Sequence, residues 1–258
     1  MTYQTISVHY KDNIAIVTLN RPKSRNALNG RMIQEITNVF LTFQNGSDVR
    51  LVVLSGNGVS FCAGADLKLM KHLDNATKEE NVEFGTKLEE MYHVIDSCPK
   101  PVIGKVHGHA YGGGFGLCTV CDIVISDENA MFSLSEVLIG IIPAIIGPYS
   151  VRKIGHSYFR ALGISGERFD GKFAEQIGLV HYCVKNSELD ETTDSIVKQL
   201  LKASPKAISH FKNYCNNFDI INSAELLADL RASDEGQEGL SAFLEKRPPS
   251  WENSGNNK

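Results

Sequence analysis

The sequence predicts an α/β chain of strand–strand–helix turns followed by a purely helical C-terminal region. Short β-branched runs alternate with segments of helical apolar spacing as far as about residue 190, and helical patterning alone continues beyond it. Glycine-rich segments interrupt the first part where a strand gives way to a helix.

The elements follow in order. Ile6 to His9 and Ile14 to Leu19, separated by Lys11-Asp12-Asn13, predict a hairpin that Asn20-Arg21-Pro22 ends. From Asn29, Met32, Ile33, Ile36, Val39, Phe40 and Phe43 recur at helical spacing, and Leu51 to Gly56 is a short buried strand. Residues 79–96 form a second amphipathic helix through Phe84, Leu88, Met91, Tyr92 and Ile95. Pro101 to Val106 and Ile123 to Ser126 are strands around a glycine loop. Helices are expected at Ile196 to Lys202, Pro205 to Asn216 and, as one segment, Ser223 to Leu240; the tail from Trp251 to Lys258 is expected to fray. The division is a core at 1–190 and a helical region at 191–258, with no linker between them.

A chain of 258 residues buries roughly 70–75% of its extended surface and needs no disulfide or metal support. Apolar content of 42%, charged content of 22% and a net charge of −4 exclude the basic excess of a nucleic-acid binder. The first residues lack the basic and apolar regions of a signal peptide. The longest apolar stretch, Val137 to Tyr149, is broken by Gly140, Pro143 and Gly147, too short for a membrane span, and is expected to be core or pocket wall. Scattered Cys62, Cys98, Cys118, Cys121, Cys183 and Cys215 suit reduced thiols in a cytoplasmic protein. Cys118-Thr119-Val120-Cys121 matches C-x-x-C, but without a second Cys/His pair it is expected to be buried packing, with no metal bound.

Two segments carry the chemistry: Phe61-Cys62-Ala63-Gly64-Ala65-Asp66-Leu67 and Ala110-Tyr111-Gly112-Gly113-Gly114-Phe115-Gly116. Glycine lets a ligand approach backbone N–H groups, and a helix start leaves such donors unpaired. Two sets of donors facing one carbonyl oxygen would stabilise the negative charge of an enolate. A glycine triplet is by itself more often a plain turn; Glu136 tilts the balance, because an acid set among Phe132, Leu134, Val137 and Leu138 is either paired or functional. Asp66 is expected to cap the helix from Leu67, and His107 and His109 to be ordinary hydrogen-bonding residues.

The chain resembles the crotonase, or enoyl-CoA hydratase/isomerase, superfamily over essentially its whole length. The carriers are Leu19-Asn20-Arg21-Pro22, the two glycine segments, Cys121-Asp122-Ile123, Ser135 to Pro143, Gly178-Leu179-Val180 and Phe243-Leu244-Glu245-Lys246-Arg247. The resemblance implies the crotonase spiral with C-terminal helices in trimer contacts, as a homotrimer or dimer of trimers, and an acyl-CoA substrate. No cofactor is implied beyond the coenzyme A that belongs to the substrate. It also implies an oxyanion hole at the N–H groups of Ala65 and Gly113 and acid/base work by Glu136. Ala63, Ala65, Asp66, Leu67, Lys68 and Gly112 would line the CoA path. Arg25, Ala27 and Leu28 would meet its nucleotide and pantetheine end, and Phe243 and Lys246 would come from a neighbouring subunit.

The resemblance breaks at Gly116, where two-carboxylate hydratases of the family carry a glutamate. One acid is what relatives that shift a double bond employ. Gly104 to Gly114, Ile141 to Tyr149 and Glu245 to Pro249 are more closely similar to bacterial methylglutaconyl-CoA hydratases of leucine breakdown. That likeness implies room at Gly116, Pro143, Ala144 and Tyr149 for a branched, carboxylated acyl group. The expected activity is hydration, with a Δ3,Δ2-enoyl-CoA isomerase and a non-catalytic acyl-CoA-binding scaffold as alternatives.

Overall fold

The computed structural model describes residues 3–44, 48–217 and 222–252. Strand β1 (Ile6–Lys11) turns back on β2 (Ile14–Leu19) through Asp12 and Asn13, both at positive φ (47° and 63°). Two left-handed residues give the tight turn whose twist matches its strands, and Asp and Asn tolerate that conformation better than other side-chain-bearing residues. In β2, Ala15, Val17 and Leu19 point into the core on alternate positions. Helix α1 (Gly30–Gln44) starts at Asn29, whose side-chain oxygen accepts the Met32 N–H at 2.9 Å, and buries Met32, Ile33, Ile36, Val39, Phe40 and Phe43. Next come β3 (Leu51–Gly56), α2 (Leu67–Asp74), and α3 (Lys78–Asp96), entered through a capping box between Thr77 and Glu80.

From β4 (Val102–Val106) onward the chain serves two sheets in turn. β4 joins the large sheet and β5 (His109–Tyr111) the small one; α4 (Gly113–Thr119) leads to β6 (Ile123–Asp127) in the large and β7 (Met131–Ser133) in the small. After α5 (Gly147–Ser165), β8 (Arg168–Asp170) closes the small sheet, and after α6 (Gly171–Gln176), β9 (Tyr182–Val184) closes the large. The large sheet runs β1-β2-β3-β4-β6-β9, parallel from β2 on; the small one runs β5-β7-β8. Parallel neighbours require crossovers, and here each crossover carries the helix of a spiral turn. Single-residue bridges, Leu28 with Ala65 and Cys62 with Ala110, extend the small sheet's stack to the earlier turns.

Helix α7 (Leu189–Leu201) covers the other face of the large sheet, where Leu189, Ile196 and Val197 pack with Leu51, Val53, Ile103 and Ile125. Both faces of this mostly parallel sheet are thus buried. Helices α8 (Pro205–Asn217), α9 (Ser223–Ala232) and α10 (Asp234–Glu245) form the helical C-terminal region.

Three expectations are corrected. The expected single helix at 223–240 is two, because Ser233 is extended (ψ 153°) and its hydroxyl accepts the Gly236 N–H at 3.1 Å, capping α10. Trp251 is not frayed: its indole N–H donates to the Lys202 carbonyl (3.1 Å) and its own carbonyl accepts from Arg50 (2.9 Å), while residues 253–258 of that tail lie outside the described residues. Val137, Leu138, Ile139, Ile141 and Ile142 are exposed rather than core, because Glu136–Ile139 is a single 3₁₀ turn at the surface of the chain. Among the described residues no helix is long and apolar enough to cross a membrane.

Candidate active site

The first glycine loop is pinned beside the second. The Leu28 N–H donates to the Gly64 carbonyl (2.8 Å) and the Asp66 N–H to the Leu28 carbonyl (2.9 Å), leaving the Ala65 N–H between them; among the described residues no hydrogen bond takes it up. Gly64 stands at φ 96°, and a Cβ there would lie 3.0 Å from the Tyr111 carbonyl oxygen and 4.0 Å from the Gly113 nitrogen. Only glycine fits that approach.

On the second loop Gly112 (φ 48°) donates to the Ser133 carbonyl at 3.0 Å, and the first helical bond of α4 runs from the Gly116 N–H to the Gly112 carbonyl (3.0 Å). The Gly113 N–H therefore falls in the unpaired first turn. Leu28 lies over Gly113, where a Cβ would meet its Cδ1 at 2.8 Å.

The bond to Ser133, the last residue of β7, also brings in Glu136, three residues further on. A Cβ on Gly112 would stand 3.1 Å from Glu136 Oε1. Glu136 Oε2 is buried and, among the described residues, has no hydrogen-bond partner. Burial pushes the Glu136 carboxyl above the usual glutamate range, against a smaller lowering by its own backbone N–H. A buried carboxylate oxygen left without a partner costs free energy, the signature expected of a candidate functional group.

Asp66 does cap α2. Its Oδ1 accepts the Lys68 and Leu69 N–H groups (2.8 and 3.4 Å), and its Oδ2 pairs with the Arg21 guanidinium at 2.8 Å. Burial opposes its ionisation, but these bonds outweigh it and hold the carboxyl below the usual range. Arg21 also donates to the Ala27 carbonyl, and the Arg25 carbonyl accepts the Ala63 N–H (3.0 Å). Arg25, Ala27, Leu28, Ala63 and Asp66 thus form one frame. Ala65, Leu67 and Lys68 are exposed at its rim, Gly112 and Gly113 are half-buried, and Glu136 lies at the inner end.

The chain belongs to the enoyl-CoA hydratase/isomerase family, whose profile matches residues 9–254. It is 32% identical over 256 residues to the short-chain-enoyl-CoA hydratase of Clostridium acetobutylicum, covering 96% of this chain and 97% of that one. To the 2,3-dehydroadipyl-CoA hydratase of Escherichia coli it is 29% identical over 252 residues, covering 95% and 97%. The crystal structure of an enoyl-CoA hydratase from Shewanella pealeana matches with a TM-score of 0.92 at 34% identity, covering 96% of each chain. Pseudomonas aeruginosa AtuE matches with a TM-score of 0.93 at 32% identity, covering 96% of this chain and 100% of that one. The crotonase fold and a lyase of this family follow directly.

Within this crotonase chain Gly116 corrects an expectation. It opens no room: a Cβ there would stand 2.4 Å from Ile146 Cγ2 and 3.0 Å from the Tyr92 ring. Tyr149 lines the next layer, its ring centroid 6.3 Å from that of Tyr92, while Pro143 is half-buried and Ala144 exposed. Phe243 is 80% exposed on α10, which packs on α9, so it is no part of the wall around Glu136 in its own chain. Lys246 follows at φ 56° as the cap of α10. Its neighbour Arg247 is spent on Glu238 and Glu245.

The Cys118 and Cys121 thiols donate to the Gly114 and Leu117 carbonyls (3.4 and 3.2 Å), and burial pushes Cys121 up to about 12. Among the described residues no group of His, Cys, Asp and Glu is placed to hold a metal ion. His107 bonds to the Gly58 carbonyl and His109 to the Ser60 hydroxyl. Sequence reasoning missed Tyr92 as a site residue. It sits in an apolar helical stripe, and its partnership with Gly113, 21 residues away, leaves no local signal.

Proposed function

We propose that the protein is an enoyl-CoA hydratase that works with a single carboxylate. The thioester oxygen is held by the Ala65 and Gly113 N–H groups, and Glu136 takes a proton from water as the water oxygen bonds to the β-carbon. The double-bond electrons pass to the thioester as an enolate, and the protonated Glu136 returns that proton to the α-carbon. Oxygen and both hydrogens of water are thereby accounted for. The observation that carries the reading is the buried Glu136 Oε2, without a partner among the described residues, beside two glycine loops whose Ala65 and Gly113 N–H groups are likewise not taken up among them. Its raised affinity for a proton suits a group that must both take and return one.

The substrate we infer is methylglutaconyl-CoA. The support is the likeness of Gly104 to Gly114, Ile141 to Tyr149 and Glu245 to Pro249 to hydratases of that compound, together with glycine at 116. The coenzyme A moiety would run along Ala63 to Lys68 and toward Arg25, Ala27 and Leu28.

The filled room at Gly116 favours one other reading, Δ3,Δ2-isomerisation, because no side chain there can hold water opposite Glu136. Purified protein incubated with crotonyl-CoA, 3-hexenoyl-CoA and methylglutaconyl-CoA separates the two. Hydration with the highest kcat/KM for methylglutaconyl-CoA supports the proposal. Conversion of 3-hexenoyl-CoA alone would replace it by the isomerase, and tight binding of all three without turnover would contradict both.

A further inference from the structure

Three consecutive glycines form the most pliant backbone a chain can offer, yet an oxyanion donor works only if it is aimed before the charge develops. Gly112 is held by its bond to Ser133, and Gly114 is wedged on Cys62, whose carbonyl oxygen lies 2.2 Å from where a Cβ would stand. For Gly113 the restraints are the Leu28 side chain and the Tyr92 hydroxyl, both close to where a Cβ would stand, and that hydroxyl donates to the Gly113 carbonyl at 2.8 Å. Tyr92 is fully buried. A phenol in such a place contributes its hydroxyl as well as its ring, because phenylalanine would fill the same space without a polar group to satisfy.

We propose that Tyr92 is the positioning residue of this site: its hydroxyl holds the Gly113 carbonyl, so that the Gly113 Cα is fixed between this bond and the bond of the Gly116 N–H to the Gly112 carbonyl, whose peptide carries the Gly113 N–H, and its ring, with Ile146, fills the space beside Gly116. The two polar groups flank adjacent glycines, with Glu136 Oε1 against Gly112 and the Tyr92 oxygen against Gly113. Tyr92 acts through Gly113 and does not itself touch the reacting atoms. The inference rests on the reading above, in which the Gly113 N–H holds the thioester oxygen.

Two readouts test it: steady-state hydration of crotonyl-CoA, and the near-ultraviolet enolate band of bound acetoacetyl-CoA, which reports oxyanion stabilisation without turnover. Tyr92→Phe is expected to lower kcat about 10–100-fold with KM changed less than about threefold, since it removes stabilisation realised only as charge develops. It should also weaken the enolate band. Tyr92→Met, whose flexible thioether fills the space without a donor, should weaken it likewise, which covers the case of one variant failing to fold. Either variant, folded by circular dichroism and showing the wild-type band and kcat, overturns the proposal. Wild-type protein that forms the enolate but hydrates nothing contradicts the hydratase reading while the band comparison still judges Tyr92. Wild-type protein that does neither overturns both.

Discussion

Glu136 is the residue on which the proposed chemistry turns, and its environment sets two opposed expectations. Glu136→Gln keeps shape and polarity, so acyl-CoA affinity should be largely retained while kcat falls roughly 10²–10⁴-fold. The same change should raise the melting temperature. A carboxyl raised above its unfolded value binds its proton more tightly in the folded state, so folding stability falls as pH rises through the window between the two values and stays reduced above it. Glutamine has no such proton, and the gain should vanish at pH values below the unfolded carboxyl range. For catalysis the ionised base is needed first, so the acid limb of kcat/KM should lie above the roughly 4.3 of a free glutamate. A pH–rate profile and thermal melts of both proteins check the pair of claims. Gly116→Glu would not rebuild a two-acid site: its side chain collides with Ile146 and Tyr92, and overpacking alone costs about 1–3 kcal/mol. A lowered melting temperature with no gain on crotonyl-CoA is expected. The sequence singled out Glu136 and both glycine loops, which the structure brings together, because their residue types suit the proposed chemistry. It could not show that Gly116 faces packed side chains, which depends on α3 and α5 meeting there.

The elements were legible where local rules act alone. The hairpin at Asp12-Asn13, the apolar face of α1 and the cap at Asp66 each rest on residues within a few positions of one another. The break at Ser233 rests on an equally local signal, Ser followed by Asp234 and Glu235, but helix-favouring Ala, Leu and Glu around it mask the cap. Ser233→Ala should therefore cost about 1 kcal/mol, measured by denaturant unfolding, whereas Ser233→Asp should leave stability nearly unchanged. An unchanged midpoint for the alanine variant would mean that tertiary packing alone separates α9 from α10.

For the whole molecule, Leu138, Ile139, Ile141, Ile142, Phe243 and Leu244 are exposed on a single chain. Apolar exposure of this kind marks surfaces that meet another chain; at Leu138 to Ile142 it misled the sequence reading, because hydrophobic patterning does not say whether the covering layer belongs to the same chain, whereas Phe243 was expected at a subunit contact. We propose a homotrimer or dimer of trimers that buries it. Sedimentation velocity should give three or six copies, and Phe243→Asp with Leu244→Asp should shift the protein to smaller species. A monomeric wild type at micromolar concentration would remove the proposal.

The central claim is that water is added, with Glu136 moving its proton. The most direct test is incubation of methylglutaconyl-CoA in H₂¹⁸O, with mass spectrometry of the acyl product. The wild-type product should gain one H₂¹⁸O, with the label on the β-carbon oxygen, and Glu136→Gln should yield almost none. A product of unchanged mass from the wild type, or undiminished labelling by Glu136→Gln, would contradict the claim.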